Sequence, residues 1–232
     1  MEFNNDLTEM ATQTAHSFHA RGRALSTHAI KARLFAINVE RILSPVASMF
    51  SAESYELLRE FFTDHLFMPV DRVARDHAVE ALYAKMKGIT VMGFSQNLSE
   101  SVELTRLANS LDESLVSILR RRNYSSVDQI GHAEVDSAIL EENRQADRER
   151  QVELLGNNMR FFHKMSHAPL AGFMLPSMKK VAKATGVGCL VDQIDIGYRA
   201  ARAIPDIDAF VMAIRVDECE RLAALFDPRN VN

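Results

Sequence analysis

Cysteine is nearly missing from this chain of 232 residues; Cys189 and Cys219 are the only two. Two thiols thirty residues apart build neither a disulfide framework nor a four-ligand zinc site, and they fit a reducing cytoplasm. Glycine and proline are scarce too, at nine and six. Where they occur they punctuate helical periodicity instead of bounding alternating strands, which favours an all-α chain. Long apolar runs are absent. The longest, "APLAGFMLP" at 168–176, is far short of the ~20 residues needed to cross a bilayer. The start, "MEFNNDLTEMATQ", is polar and acidic and lacks the basic start and apolar run of a secretory signal. Nor is there an excess of basic charge: 27 basic against 31 acidic residues give a net charge of -4. That balance offers no bulk attraction to nucleic acid or to an anionic membrane surface. A cytoplasmic protein with no nucleic-acid partner and no membrane span is expected.

What is present is ordinary for a soluble globular protein, with 47% hydrophobic and 25% charged residues. No internal repeat and no linker rich in Gly, Ser or Pro divides the chain. A single helical domain over 1–232 is expected, a bundle of roughly eight to nine helices, and residues 1–25 leave room for a mobile N-terminal segment.

The clearest stripe is Tyr55, Leu58, Phe62 and Leu66, with Phe61 and His65 along one edge. It predicts a helix from about Ala52 to Phe67, stopped by Pro69, with Asp64 on a polar face. The next helix carries Val73, His77, Leu82 and Met86 and meets Gly88 as a C-terminal cap. Capping boxes at Ser110 with Glu113 and at Ser126 with Gln129 predict two further helix starts. From about Ala133 the charged run "EENRQADRERQ" reads as a solvated face with a kink inside it. It leads into a stripe of Leu154, Met159, Phe162 and Met165 before Pro169. Beyond lie a helix to about Lys183, the "TGVG" break at 185–188, and a helix to Ile204. A last helix after Pro205 turns Phe210, Ile214, Leu222 and Leu225 inward.

The chemistry search returns few signals. Asp64 and His65 are consecutive on a helix and point about 100° apart, so they form no dyad without a distant partner. His163 and His167 have the i, i+4 spacing that clamps a metal, but Lys164 stands where a zinc-protease helix has its glutamate. No nearby carboxylate completes a ligand set, and the pair reads as a surface or interface pair. A di-iron bundle needs a glutamate three residues before histidine. None of the eight histidines has an acid there; Phe62, Arg160 and Lys164 precede His65, His163 and His167. No metal and no cofactor are expected. "GVGCLV" opens like a dinucleotide fingerprint, but Val191 stands at the third glycine and no strand precedes it. Arg120, Arg121 and Arg122 close one helix and Lys179, Lys180 and Lys183 another, where cations complement the negative dipole end.

These landmarks resemble a family of bacterial proteins named for an FFLEELY motif. Phe61, Phe62, Thr63, Asp64, His65, Leu66 and Phe67 stand at the motif; the aromatic and leucine anchors are kept, while both acidic positions and the final tyrosine differ. "RDHAVEALYAKM", "NSLDESL" and "QVELLGNNM" are similar to segments that follow it. The best stretch is "GVGCLVDQIDIGYRAAR" at 186–202, with Gly186, Gly188, Leu190, Asp192, Asp195, Gly197, Tyr198 and Arg202 in the family's order. The resemblance implies a helical bacterial protein over roughly residues 55–225, and it implies no catalytic residue.

Two functions stay open on the sequence. In the favoured one the chain is not an enzyme and acts as a homo-oligomer or through a protein partner. Phe162, Met165, Phe173, Met174 and Met178 then form the adaptable partner face. In the other, a hydrophobic ligand, a haem or an oxidative site lies between helices, near a polar set of His65, Asp64, His163 and His167.

Overall fold

The computed structural model describes residues 25–67, 94–168 and 190–230, and its regular elements are helical throughout. Seven α-helices stand among the described residues: α1 (Thr27–Leu43), α2 (Ala52–Glu60), α3 (Phe94–Arg121), α4 (His132–Glu142), α5 (Gln145–His167), α6 (Leu190–Ala203) and α7 (Ile207–Leu225). The count is lower than the eight to nine expected. The helix expected from Val73 to Met86, the helix beyond Pro169 with its three lysines, the "TGVG" break and the N-terminal segment as far as residue 24 lie outside the described residues.

Side-chain caps set several helix starts. Ser26 Oγ accepts the Ala29 N–H at 3.1 Å to open α1, and Ser51 Oγ accepts the Ser54 N–H at 3.3 Å to open α2. Asp206 Oδ1 accepts from the N–H groups of Asp208 and Ala209, both at 3.0 Å, and opens α7 directly after Pro205. The expected box at Ser126 is present and starts a short 3-10 turn, Val127–Gln129; Gln129 Oε1 accepts the Ser126 N–H at 3.2 Å.

The box expected at Ser110 is not a helix start. α3 runs straight through it, and Ser110 Oγ accepts instead from Arg144 Nη1 at 2.9 Å. The pattern caps only where the preceding backbone leaves the helix. Here the hydroxyls of Ser101 and Thr105 bond back to the carbonyls of Asn97 and Ser101, each at 2.9 Å, and accompany an unbroken helix.

The charged run is two helices and not one kinked face. Asn143 takes the left-handed backbone, φ 53°, and ends α4 with its N–H on the Ile139 carbonyl at 3.1 Å. Part of the run is also buried. Arg148 Nη2 donates to Glu142 Oε2 at 2.7 Å, and the two side chains are 9% and 1% exposed.

The expected single helix from Ala52 to Phe67 also divides: α2 ends at Glu60 and Phe61–Phe67 is π-helical. A π turn closes i→i+5, so faces counted at 3.6 residues per turn do not carry past Glu60. Phe62 nevertheless reaches the core, 0% exposed, and meets Phe61 edge to face with centroids 5.7 Å apart. Phe61 crosses α6 at Gly197, where a Cβ would come within 2.9 Å of its Cε2.

Two apolar clusters share α1 and α7. The first joins Ile30, Leu34 and Ile37 to Leu115, Leu119, Val135, Ile139 and Leu222. The second joins Val39, Ile42 and Leu43 to Leu58, Phe62, Met159, Phe210 and Ile214. α5 and α7 pack antiparallel: Arg160 donates to Asp208 at 2.8 Å, and Gly156 lies against Val211. The inward residues expected on α7 are buried at Phe210, Ile214 and Leu222, and Leu225 is half-buried.

Candidate functional site

The i, i+4 histidines of α5 are held by backbone carbonyls. His163 Nε2 lies 3.2 Å from the Ile204 carbonyl, just past the end of α6, and His167 Nδ1 lies 3.0 Å from the His163 carbonyl. A carbonyl only accepts, so both nitrogens carry their protons. The rings lie against each other, centroids 4.3 Å apart and tilted by 35°. Faces meet instead of lone pairs, which is not the geometry of a metal clamp. Among the described residues no three His, Cys, Asp or Glu converge as metal ligands.

Asp64 is exposed and stands near the Arg59 guanidinium on the preceding turn. The side chain of His65 lies outside the described residues, as do Phe173, Met174 and Met178. Of the expected polar set, His163 and His167 meet on α5, and Asp64 makes no described contact with them. The expected stripe on α5 splits: Leu154 and Met159 are buried, Met165 is half-buried, and Phe162 is 51% exposed. On α6, Arg202 Nη1 donates to the Tyr198 hydroxyl at 3.1 Å, within the stretch 186–202.

A polar cluster that no local spacing predicts joins α1, α4 and α7. Asp136 Oδ1 accepts from Arg41 Nη2 at 2.8 Å and from Arg221 Nη1 at 2.7 Å. Arg221 also holds Glu218 at 2.6 Å, and Arg41 donates to the His132 carbonyl at 3.1 Å. Burial, and then the Arg221 guanidinium beside it, lower the Arg41 pKa from the ordinary arginine value. An arginine remains charged even so.

His132 makes the cluster's one dyad. Arg41 Nε donates to His132 Nδ1 at 3.3 Å, which places the ring proton on Nε2, 3.2 Å from Glu40 Oε2. In a catalytic triad the carboxylate holds one ring nitrogen and the other takes the substrate's proton. Here a guanidinium occupies that second nitrogen, so His132 has no free lone pair with which to act as a base. These partners lie 85 to 95 residues apart in sequence, beyond the reach of any helical spacing rule.

Between α3 and α5 runs an open groove of about 480 Å³, lined by Val102, Arg106, Leu107 and Asp147 and bridged by Arg150. Arg150 donates to both oxygens of Glu103, at 2.8 and 3.0 Å, and this holds the Glu103 carboxyl below the usual carboxylate range. The cleft between α5 and α7 is only about 10 Å³, too small for an organic ligand. At the end of α3, Arg121 and Arg122 hold the two oxygens of Glu141 at 2.7 and 3.0 Å, so these cations tie α3 to α4 as well as ending a helix.

Large apolar side chains are exposed at three places among the described residues: Phe162 on α5, and Met212 and Val216 on α7. No helix among the described residues is long and apolar enough to cross a membrane. No curated protein and no solved structure matches the chain. A family model does match it over residues 15–231, and the chain belongs to that family, a domain of unknown function designated DUF8198.

Proposed function

We propose that this is a non-enzymatic cytoplasmic protein that acts by associating with another copy of itself or with a protein partner. The observation that supports this reading is the exposure of Phe162, Met212 and Val216, at 51%, 52% and 44%. Burying a side chain of this size completely is worth about 1.5–3 kcal/mol, so a half-exposed one leaves about 1 kcal/mol for a partner to recover. The histidines with described side-chain contacts point the same way: His132 is capped by Arg41, and His163 and His167 are turned onto carbonyls. A haem or an apolar ligand is poorly served by the groove between α3 and α5, which is open and bridged by a charged pair. A bacterial origin, the likeness to FFLEELY-motif proteins and a single domain of eight to nine helices belong to the same reading.

Light scattering and an absorption spectrum on one native preparation test it. A mass above that of the monomer, rising with concentration, is expected from self-association. A strictly monomeric protein with a stoichiometric haem band would overturn the reading in favour of a ligand site.

A further inference from the structure

We infer that α7 is a dimerisation helix, which pairs in parallel with α7 of a second copy of this chain. The inference rests on the associating role proposed above and names the partner and the contact.

α7 packs onto its own protein through Phe210, Val211, Ile214 and Leu222, all buried. At 100° per residue the opposite direction is occupied by Ala209, Met212, Val216, Ala223 and the charged Glu220, with Cys219 at its edge. The first four are exposed and Cys219 is half-buried. A surface helix ordinarily turns charged and polar residues outward. α7 carries apolar residues on both sides, beside Glu218 and Arg221 inward and Glu220 outward, which suits a helix covered on both.

The outward residues recur at 209, 212, 216, 219 and 223, alternating steps of three and four. These are the a and d positions of a heptad seam. In that register Arg215 is a g residue on one flank and Glu220 an e residue on the other. Neither has a hydrogen bond or ion pair among the described residues. In a parallel pair each g residue faces the partner's e residue five positions on, and Arg215 to Glu220 is that interval. A twofold axis along the seam repeats the contact, giving two reciprocal ion pairs. In an antiparallel pair like flanks meet, which leaves Glu220 without a cation; the other charged g residue, Asp208, is already held by Arg160. The charges therefore select a second copy in parallel.

A d residue meets its own equivalent across the twofold, so the two Cys219 thiols come within disulfide reach. The test uses the full chain carrying Cys189→Ser, so that Cys219 is the one thiol. Light scattering across the micromolar range is expected to show a dimer, and mild oxidation to link it through Cys219. Val216→Glu is expected to abolish both, with helical circular dichroism unchanged. Arg215→Glu should weaken the dimer by roughly tenfold or more, and Arg215→Glu with Glu220→Arg should restore it. A dimer that survives Val216→Glu places the interface elsewhere and overturns this inference while leaving an associating protein. A dimer lost with Val216→Glu but neither linked through Cys219 nor restored by the charge exchange overturns the parallel pairing. A monomer at every concentration overturns self-association altogether.

Discussion

Gly156→Ala sets two opposed effects against each other at the contact between α5 and α7. Alanine favours a helix interior over glycine by about 0.8–1.0 kcal/mol. The added methyl, however, would stand 2.8 Å from Val211 Cγ1 on the facing helix. Val211 is 3% exposed and β-branched, so its χ1 cannot swing aside without leaving its rotamer or pushing α7 away. Overpacking of this kind costs about 1–3 kcal/mol. Subtracting the helical gain leaves a net destabilisation of ~0–2 kcal/mol. The sign should reverse once the obstruction is removed. In a Val211→Ala background, Gly156→Ala meets no branched methyl and should stabilise by up to ~1 kcal/mol. Urea titrations of the four proteins, followed by helical circular dichroism with the slope held as a check on two-state unfolding, measure the cycle. A Gly156→Ala protein more stable than the parent, or an equal effect in both backgrounds, would refute the claim that this glycine sets the approach of the two helices.

Phe62→Ala should cost ~3–5 kcal/mol, since the ring is 0% exposed, while exposed Asp64→Asn should stay within about 0.5 kcal/mol. A denaturant titration ranking the two in the other order would mean that Asp64 has a buried role. The Glu103 carboxyl, lowered by its hydrogen bonds from Arg150, ionises more readily in the folded protein than in the unfolded chain. Its stabilisation is therefore fully present above the ordinary glutamate value and fades as pH falls through the lowered folded value. The pair is exposed to solvent, so screening keeps the effect small. The stability gap between the parent and Glu103→Gln should be flat above about pH 5 and shrink on acidification. A gap that widens with acid would show that the pair has the opposite linkage.

Much of the helical framework is legible because caps and periodicity act within a turn or two. Ser126 with Gln129 is a local signal that forms its box but opens a short 3-10 turn in place of the expected helix, while the start of α7 behind Pro205 and the inward set of Phe210, Ile214 and Leu222 stand where the sequence places them. Ser110 with Glu113 has the same pattern and caps nothing, because a capping box specifies a start only where the backbone before it is not helical. "FFTDHLF" carries its apolar anchors openly but not its π-helical winding. The faces of Asp64 and Phe62 survive that change, while the continuous helix does not.

The candidate site is less legible. The outward stripe of α7 was open to inspection at 209, 212, 216, 219 and 223, but the inward stripe of the same helix is as apolar and masks it. Phe162 shares a helix and an apolar stripe with Met159, yet one is 51% and the other 8% exposed. Their own helix treats them alike; which one is covered depends on where α7 and the end of α6 lie. The Arg41, His132, Asp136 and Arg221 cluster has the same origin, since its members come from three helices and meet only when these pack. The helical character of the described residues and most of their inward faces can be read without the structure, because hydrogen bonding and burial periodicity are properties of single helices. Which polar groups neutralise one another, and which apolar face is left outward, follow from the packing of the helices, because both depend on the neighbour that each helix is given.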